Sequence, residues 1–187
     1  MFGTGCPTGG GQGVGVGAVD GTPIFGFSEW GLDLADLDVP LSEDEIAAGL
    51  EPPTEVEKFC VEEMKLGGGP PGYKVRVPAV TVGGVAALEE GSALRISIET
   101  TIGGEVGGGN EIVLLPADIT DGAFEALIEN PSEVWSECIA DDGVVPLIGV
   151  KTSLSLFREG DEATAGTVGA EDDSAVTVHF AAVWEEC

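Results

Sequence analysis

From residue 73 onward, apolar and polar residues alternate with a period of two, the pattern of strands with one buried face. Tyr73-Lys74-Val75-Arg76-Val77 and Val80-Thr81-Val82 read as strands around Pro78, and Leu94-Arg95-Ile96-Ser97-Ile98-Glu99-Thr100 alternates cleanly, with Leu94, Ile96 and Ile98 inward. Gly103-Gly104 and Gly107-Gly108-Gly109-Asn110 read as the turn into Ile112-Val113-Leu114-Leu115, which predicts a long hairpin. Residues 144–150, Thr152-Ser153-Leu154-Ser155-Leu156-Phe157 and 175–184 read as further strands, the last with Val176, Val178, Phe180, Ala182 and Trp184 on one face.

The first third is patterned differently. Ile24-Phe25-Gly26-Phe27 with Trp30 forms an apolar patch suited to a short strand, and Leu32, Leu34, Leu37 and Val39, interleaved with Asp33, Asp36 and Asp38, predict an extended, half-buried segment. Ser42-Glu43-Asp44-Glu45 is a capping box, so a helix is expected over about 43–48, ending at Gly49. Thr54-Glu55-Val56-Glu57 repeats that signal, and Val56, Phe59, Cys60 and Met64 then share a helical face, predicting a second helix that ends before Gly67. A third helix is expected over 120–129, capped by Thr120 or Asp121, with Phe124, Leu127 and Ile128 on one side. Residues 134–139 fit neither period.

About eight strands with short helices in the N-terminal part and the connections predict a mainly β chain, an antiparallel β-sandwich or single jelly roll. The expected core comprises Leu94, Ile96, Ile98, Val113, Leu154, Leu156, Val178 and Phe180. Residues 1–22, with the run Gly9-Gly10-Gly11-Gln12-Gly13-Val14-Gly15-Val16-Gly17, offer too little side-chain area for a core. They read as a glycine-rich arm that a neighbouring subunit would hold, because ordering glycine backbone is entropically costly. Residues 23–187 then form one β-rich domain with a helical insertion around 43–66.

Charge narrows the setting. Among the 187 residues, 34 Asp and Glu face 7 Lys and Arg, for a formal net charge of −27, while 43% of residues are hydrophobic. Strongly acidic chains poor in apolar residues stay disordered, but this one has apolar content enough for an ordinary core. Such self-repulsion is compatible with a compact state when the solvent screens it, and the Debye length falls to about 3 Å at 1 M salt. The acids are spread along the chain, so the composition predicts a salt-adapted protein. Seven scattered cations cannot build a phosphate-neutralising stripe, which argues against nucleic acid as a direct partner. No apolar run approaches the roughly 18 residues of a membrane span, and Met1-Phe2-Gly3-Thr4-Gly5-Cys6 lacks a basic region and an apolar signal core. The chain is therefore expected to be made in the cytoplasm and to remain soluble.

Candidate chemistry is sparse. Cys6, Cys60, Cys138 and Cys187 lack CxxC spacing and have one histidine for company, which disfavours zinc. They read either as four small buried hydrophobes or as disulfide partners within or between subunits, with Cys6 and Cys187 near opposite chain ends. His179 lies on a strand, facing away from the apolar set, with no GxSxG elbow and no second histidine, so it reads as structural. Gly13-Val14-Gly15-Val16-Gly17-Ala18 has the letters of a dinucleotide fingerprint but neither the preceding strand nor the following helix. Asp33, Asp36 and Asp38, Asp141-Asp142, and Glu171-Asp172-Asp173 lack the calcium-loop pattern and read as a solvated, cation-decorated surface. No catalytic residue, metal site or cofactor is predicted.

High acidity, the glycine-rich arm and a two-period chain of 187 residues together resemble the small major capsid protein of haloarchaeal icosahedral viruses with an internal membrane, the sphaerolipovirus-like group. The resemblance implies a single upright jelly roll. It also implies a capsid building block in the virion, assembling with itself and with a larger capsid protein over a membrane vesicle; no functional residues carry over. A tail-tube or head-decoration protein of a haloarchaeal tailed virus shares the composition, as does a cell-surface structural subunit. A small salt-adapted hydrolase is disfavoured by the missing nucleophile constellation.

Overall fold

The computed structural model describes residues 4, 24–27, 31–50, 53–65, 71–129, 134–142, 147–160, 164–169, 176–180 and 182–187. The predicted glycine-rich arm lies outside them except for Thr4, whose hydroxyl accepts a hydrogen bond from the Phe59 N–H at 3.2 Å.

The chain is mainly β, and every strand pairing is antiparallel. Four long strands form one sheet in the order β3 (Glu55–Lys65), β9 (Leu147–Arg158), β6 (Ser92–Ile102), β7 (Glu105–Leu114). The second sheet is built around β5 (Ala79–Leu88), with β8 (Ala123–Glu129) along one edge. Along the other edge of β5 lie β11 (Val176–Phe180) and β10 (Gly166–Val168), which in turn pair with β1 (Ile24–Phe27) and β2 (Leu32–Asp33). Beyond Pro78, β4 (Tyr73–Arg76) pairs with β12 (Val183–Glu186).

Both sheets bury alternate residues in a single core. Ile148, Leu154, Leu156, Leu94 and Ile96 come from the four-stranded sheet, and Val80, Val82, Val176, Val178 and Phe180 from the other. Seven of the eight predicted core residues are buried, but Val113 is 41% exposed because it pairs with the outward-facing Arg95.

Two predicted helices are strands. Residues 55–65 form β3, every residue in register with β9 from Glu55↔Phe157 to Lys65↔Leu147. Pairing satisfies the backbone groups along an edge of β9, whose inner face is buried, and that tertiary demand overrides a local helical signal. Residues 123–129 form β8, burying Phe124, Ala126 and Ile128 while leaving Leu127 60% exposed. Asp121 and Gly122 precede it with φ of 51° and 78°, and Thr120 and Ala123 exchange two backbone hydrogen bonds of 2.9 Å, so Asp-Gly makes a hairpin-type turn. The helical insertion expected over 43–66 therefore reduces to α1 (Glu43–Ala47), where Ser42 and Glu45 form the predicted capping box.

Smaller corrections follow the same logic. Strand β9 is continuous where two strands were expected, and β6 turns into β7 at Gly103-Gly104 alone, leaving Gly107–Asn110 inside β7. Leu34–Asp38 is a 3-10 turn, not extended chain, because the Asp33 carboxylate accepts from the Ala35 N–H at 2.8 Å. The final strand breaks into β11 and β12, which leaves Trp184 at 37% exposure instead of in the core.

Residues 134–139 lie along β4 on the edge opposite β12. Ser136 N–H donates to the Val75 carbonyl at 2.9 Å, and Ile139 N–H donates to the Tyr73 carbonyl at 2.8 Å. The Ser136 hydroxyl also accepts from the Val75 N–H at 2.9 Å, in a buried position. Replacing Ser136 with Ala leaves that N–H unpaired, and an unsatisfied buried donor costs about 1–2 kcal/mol. Urea denaturation of Ser136→Ala should show that loss; a midpoint equal to that of the parent chain would refute the role given to this hydroxyl.

Candidate functional site

The outer face of the four-stranded sheet carries small polar residues at its centre. Cross-strand rows place Phe59, Ser153, Ser97 and Glu111 side by side, with Glu57, Ser155, Arg95 and Val113 on one flank and Val61, Lys151, Glu99 and Gly109 on the other. Serines fill the middle strands where a larger residue would stand proud. At Gly109 a side chain is excluded, since a Cβ would come 2.9 Å from the Ile98 carbonyl oxygen. The result is an open groove of about 290 Å³ lined by Ser97, Glu99, Asn110, Glu111, Lys151 and Ser153.

Two cation–aromatic stacks border the central serines. The Arg95 guanidinium lies 4.8 Å from the Phe157 ring and pairs with Glu55 at 3.0 Å, and the Lys151 ammonium lies 5.4 Å from the Phe59 ring. Aromatic faces attract such cations electrostatically. Ser153 and Ser155 are buried although they point away from the core. The hydroxyls of Ser97, Ser153 and Ser155 make no hydrogen bond, and Lys151 no ion pair, among the described residues. The groove thus presents the Ser97 and Ser153 hydroxyls and the Lys151 ammonium without a hydrogen bond or ion pair among the described residues.

A family described as a domain of unknown function, DUF4360, matches residues 1–187. The chain belongs to the DUF4360 family. No curated protein matches it.

In this DUF4360 domain the residues singled out from the sequence are dispersed. Cys138 and Cys187 form a disulfide within the chain, with Cα atoms 6.2 Å apart, and Cys60 is disulfide-bonded as well. These cysteines are therefore not buried free thiols; Cys6 lies outside the described residues. The bond joins the segment 134–139 to the end of β12, the two neighbours of β4. His179 is half-buried on β11 opposite Thr81 and Ile24. Asp33 caps the 3-10 turn, and Asp38 holds Arg158 through two contacts of 2.9 Å. That hydrogen bond to the guanidinium lowers the Asp38 carboxyl below its ordinary value. Two of the three clustered aspartates thus serve the fold, and no group of three metal-ligating side chains occurs among the described residues. The residues 13–18 and 171–173 lie outside the described part.

Two features escaped the sequence reading. Trp135 lies beneath both Lys74 and Arg76, at 4.9 and 4.8 Å, beside a cavity of about 260 Å³ lined by Ile102, Glu105, Ser136 and Glu137. Lys74 and Arg76 are two apart on one strand and share a face, which was legible; that Trp135 comes to them was not. Glu62 occupies an inward position of β3 opposite Val150, only 4% exposed, and neither carboxylate oxygen has a hydrogen-bond partner among the described residues. Burial pushes its pKa up to about 7. Its cross-strand neighbour is aliphatic and supplies neither nucleophile nor partner base. The burial of Glu62 therefore makes the stability of the fold depend on pH.

Proposed function

We propose that the chain is a non-catalytic structural subunit that works by assembling with copies of itself in an oxidising, saline medium. The observation that supports this most directly is the pair of adjacent sheet edges. Among the described residues, β7 and β8 are edge strands of different sheets that approach each other where the Asn110 side chain donates to the Glu129 carbonyl at 3.1 Å. Along this side Val106, Val113, Leu115 and Leu127 are 66%, 41%, 40% and 60% exposed. Unpaired edges bearing apolar residues are templates for pairing with another chain. Within-chain disulfides persist outside reducing compartments, and salt screens the net charge of −27 when subunits meet.

A virion shell shared with a larger capsid protein, near an internal membrane, is the form that the compositional resemblance gives to this assembly. A cell-surface subunit is the second reading, favoured by the disulfides. Electron microscopy and sedimentation in molar salt test the assembly itself: the full chain should form a shell, tube or discrete oligomer, and Leu127→Asp should stay folded but assemble at least about tenfold more weakly, since burying an unpaired carboxylate is costly. A chain that is monomeric in molar salt, or a Leu127→Asp variant that assembles normally, would overturn this reading.

A further inference from the structure

We propose that the groove on the outer face of the four-stranded sheet binds a neutral polyhydroxylated chain, an oligosaccharide segment. This inference does not depend on the assembly reading: the groove is a feature of the sheet face, although β7 contributes Asn110 and Glu111 to its lining.

The polar inventory points to hydroxyl groups as the ligand. Ser97 and Ser153 can each donate and accept, Lys151 only donates, and the carboxylates of Glu99 and Glu111 only accept. A sugar hydroxyl, donor and acceptor at once, can satisfy all three kinds of group. Amines and carboxylates can satisfy only some of them. Anionic ligands are opposed by Glu99, Glu111 and the overall charge of −27, and cationic ligands by Lys151 beside them. The Phe59 ring stands next to Ser153 across β3 and β9, beside the groove, with the Lys151 ammonium 5.4 Å from its centre, so an apolar surface flanks the site on that side. At about 290 Å³ the groove is at the small end of ligand sites and is open to solvent, as an extended chain with few bound rings requires. Because the Ser97 and Ser153 hydroxyls make no hydrogen bond among the described residues, a ligand can engage them without breaking one there.

The test uses the full isotope-labelled chain carrying Leu127→Asp, at a concentration where sedimentation shows it unassembled, titrated separately in its working salt with oligosaccharides from laminarin, cellulose, chitin and amylose, and followed by amide chemical shifts. At least one should give saturable shifts centred on Ser97, Glu99, Glu111, Lys151 and Ser153. Ser97→Val, a substitution that suits a strand, and Lys151→Met should each weaken binding by about tenfold, the loss expected when a polar site loses one partner. Glu137→Gln, in the separate cavity beside Trp135, should bind like the parent chain. Amide shifts away from the groove report that each variant remains folded. The proposal is overturned if none of the four sugars gives saturable shifts, if the shifts centre on Trp135, or if both groove variants bind as the parent does.

Discussion

Replacing Cys138 and Cys187 with serine should lower the free energy of unfolding by about 3–4 kcal/mol, the largest single loss that we expect from any change outside the core. The disulfide closes a loop with a sequence separation of 49, and the loop-closure entropy withheld from the unfolded chain corresponds to roughly 4 kcal/mol. The bond also has a local task. Strand β4 is held between β12 and the segment 134–139, and the disulfide ties those two neighbours together around it. Without it, the exposed β12, whose ladder includes Lys74–Glu185 at 3.0 Å, has little burial to keep it docked. Urea melts of the double variant should show the lowered midpoint, and hydrogen exchange should show early loss of protection at residues 73–76 and 183–186. An unchanged midpoint on replacing both cysteines would refute the staple.

Replacing Glu62 with glutamine should remove a pH dependence from the fold. The carboxyl titrates near its ordinary value of 4.5 in the unfolded chain and at about 7 in the folded one, where burial disfavours the charged form. Below pH 4.5 it is protonated in both states and leaves stability unaffected. As pH rises from there toward 7, the unfolded chain releases a proton that the folded chain retains, so stability falls, and above 7 the loss levels off. The full loss amounts to roughly 3 kcal/mol at 1.36 kcal/mol per pKa unit. Glu62→Gln should match the parent chain near pH 4 and exceed it in stability at pH 8, with the difference growing in between. Parallel stability profiles for the two chains across this range would refute the burial of the Glu62 carboxyl.

What the sequence determined by itself is the mainly β class, the strands at 94–100 and 176–180, and the capped helix at 43–47. In each case the signal is local: alternation along a strand buried on one face, or a side chain that closes on a backbone group three residues away. The hairpin before β8 was also legible, in Asp121-Gly122, whose two positive φ values suit a tight turn; the apolar spacing of Phe124, Leu127 and Ile128 masked it. Strand β3 was decided by tertiary structure, because Glu62 at an inward position breaks the alternation and only the edge of β9 makes the strand the better choice. The same holds for the groove. Ser97 and Ser153 are 56 positions apart in the chain and become neighbours only through the register of β6 with β9, which no local pattern encodes. Trp135 over Lys74 and Arg76, and Cys138 against Cys187, are likewise products of long-range pairing around β4. Composition made the charge of −27 plain, but where its few opposite charges would stand depended on which strands came to lie side by side.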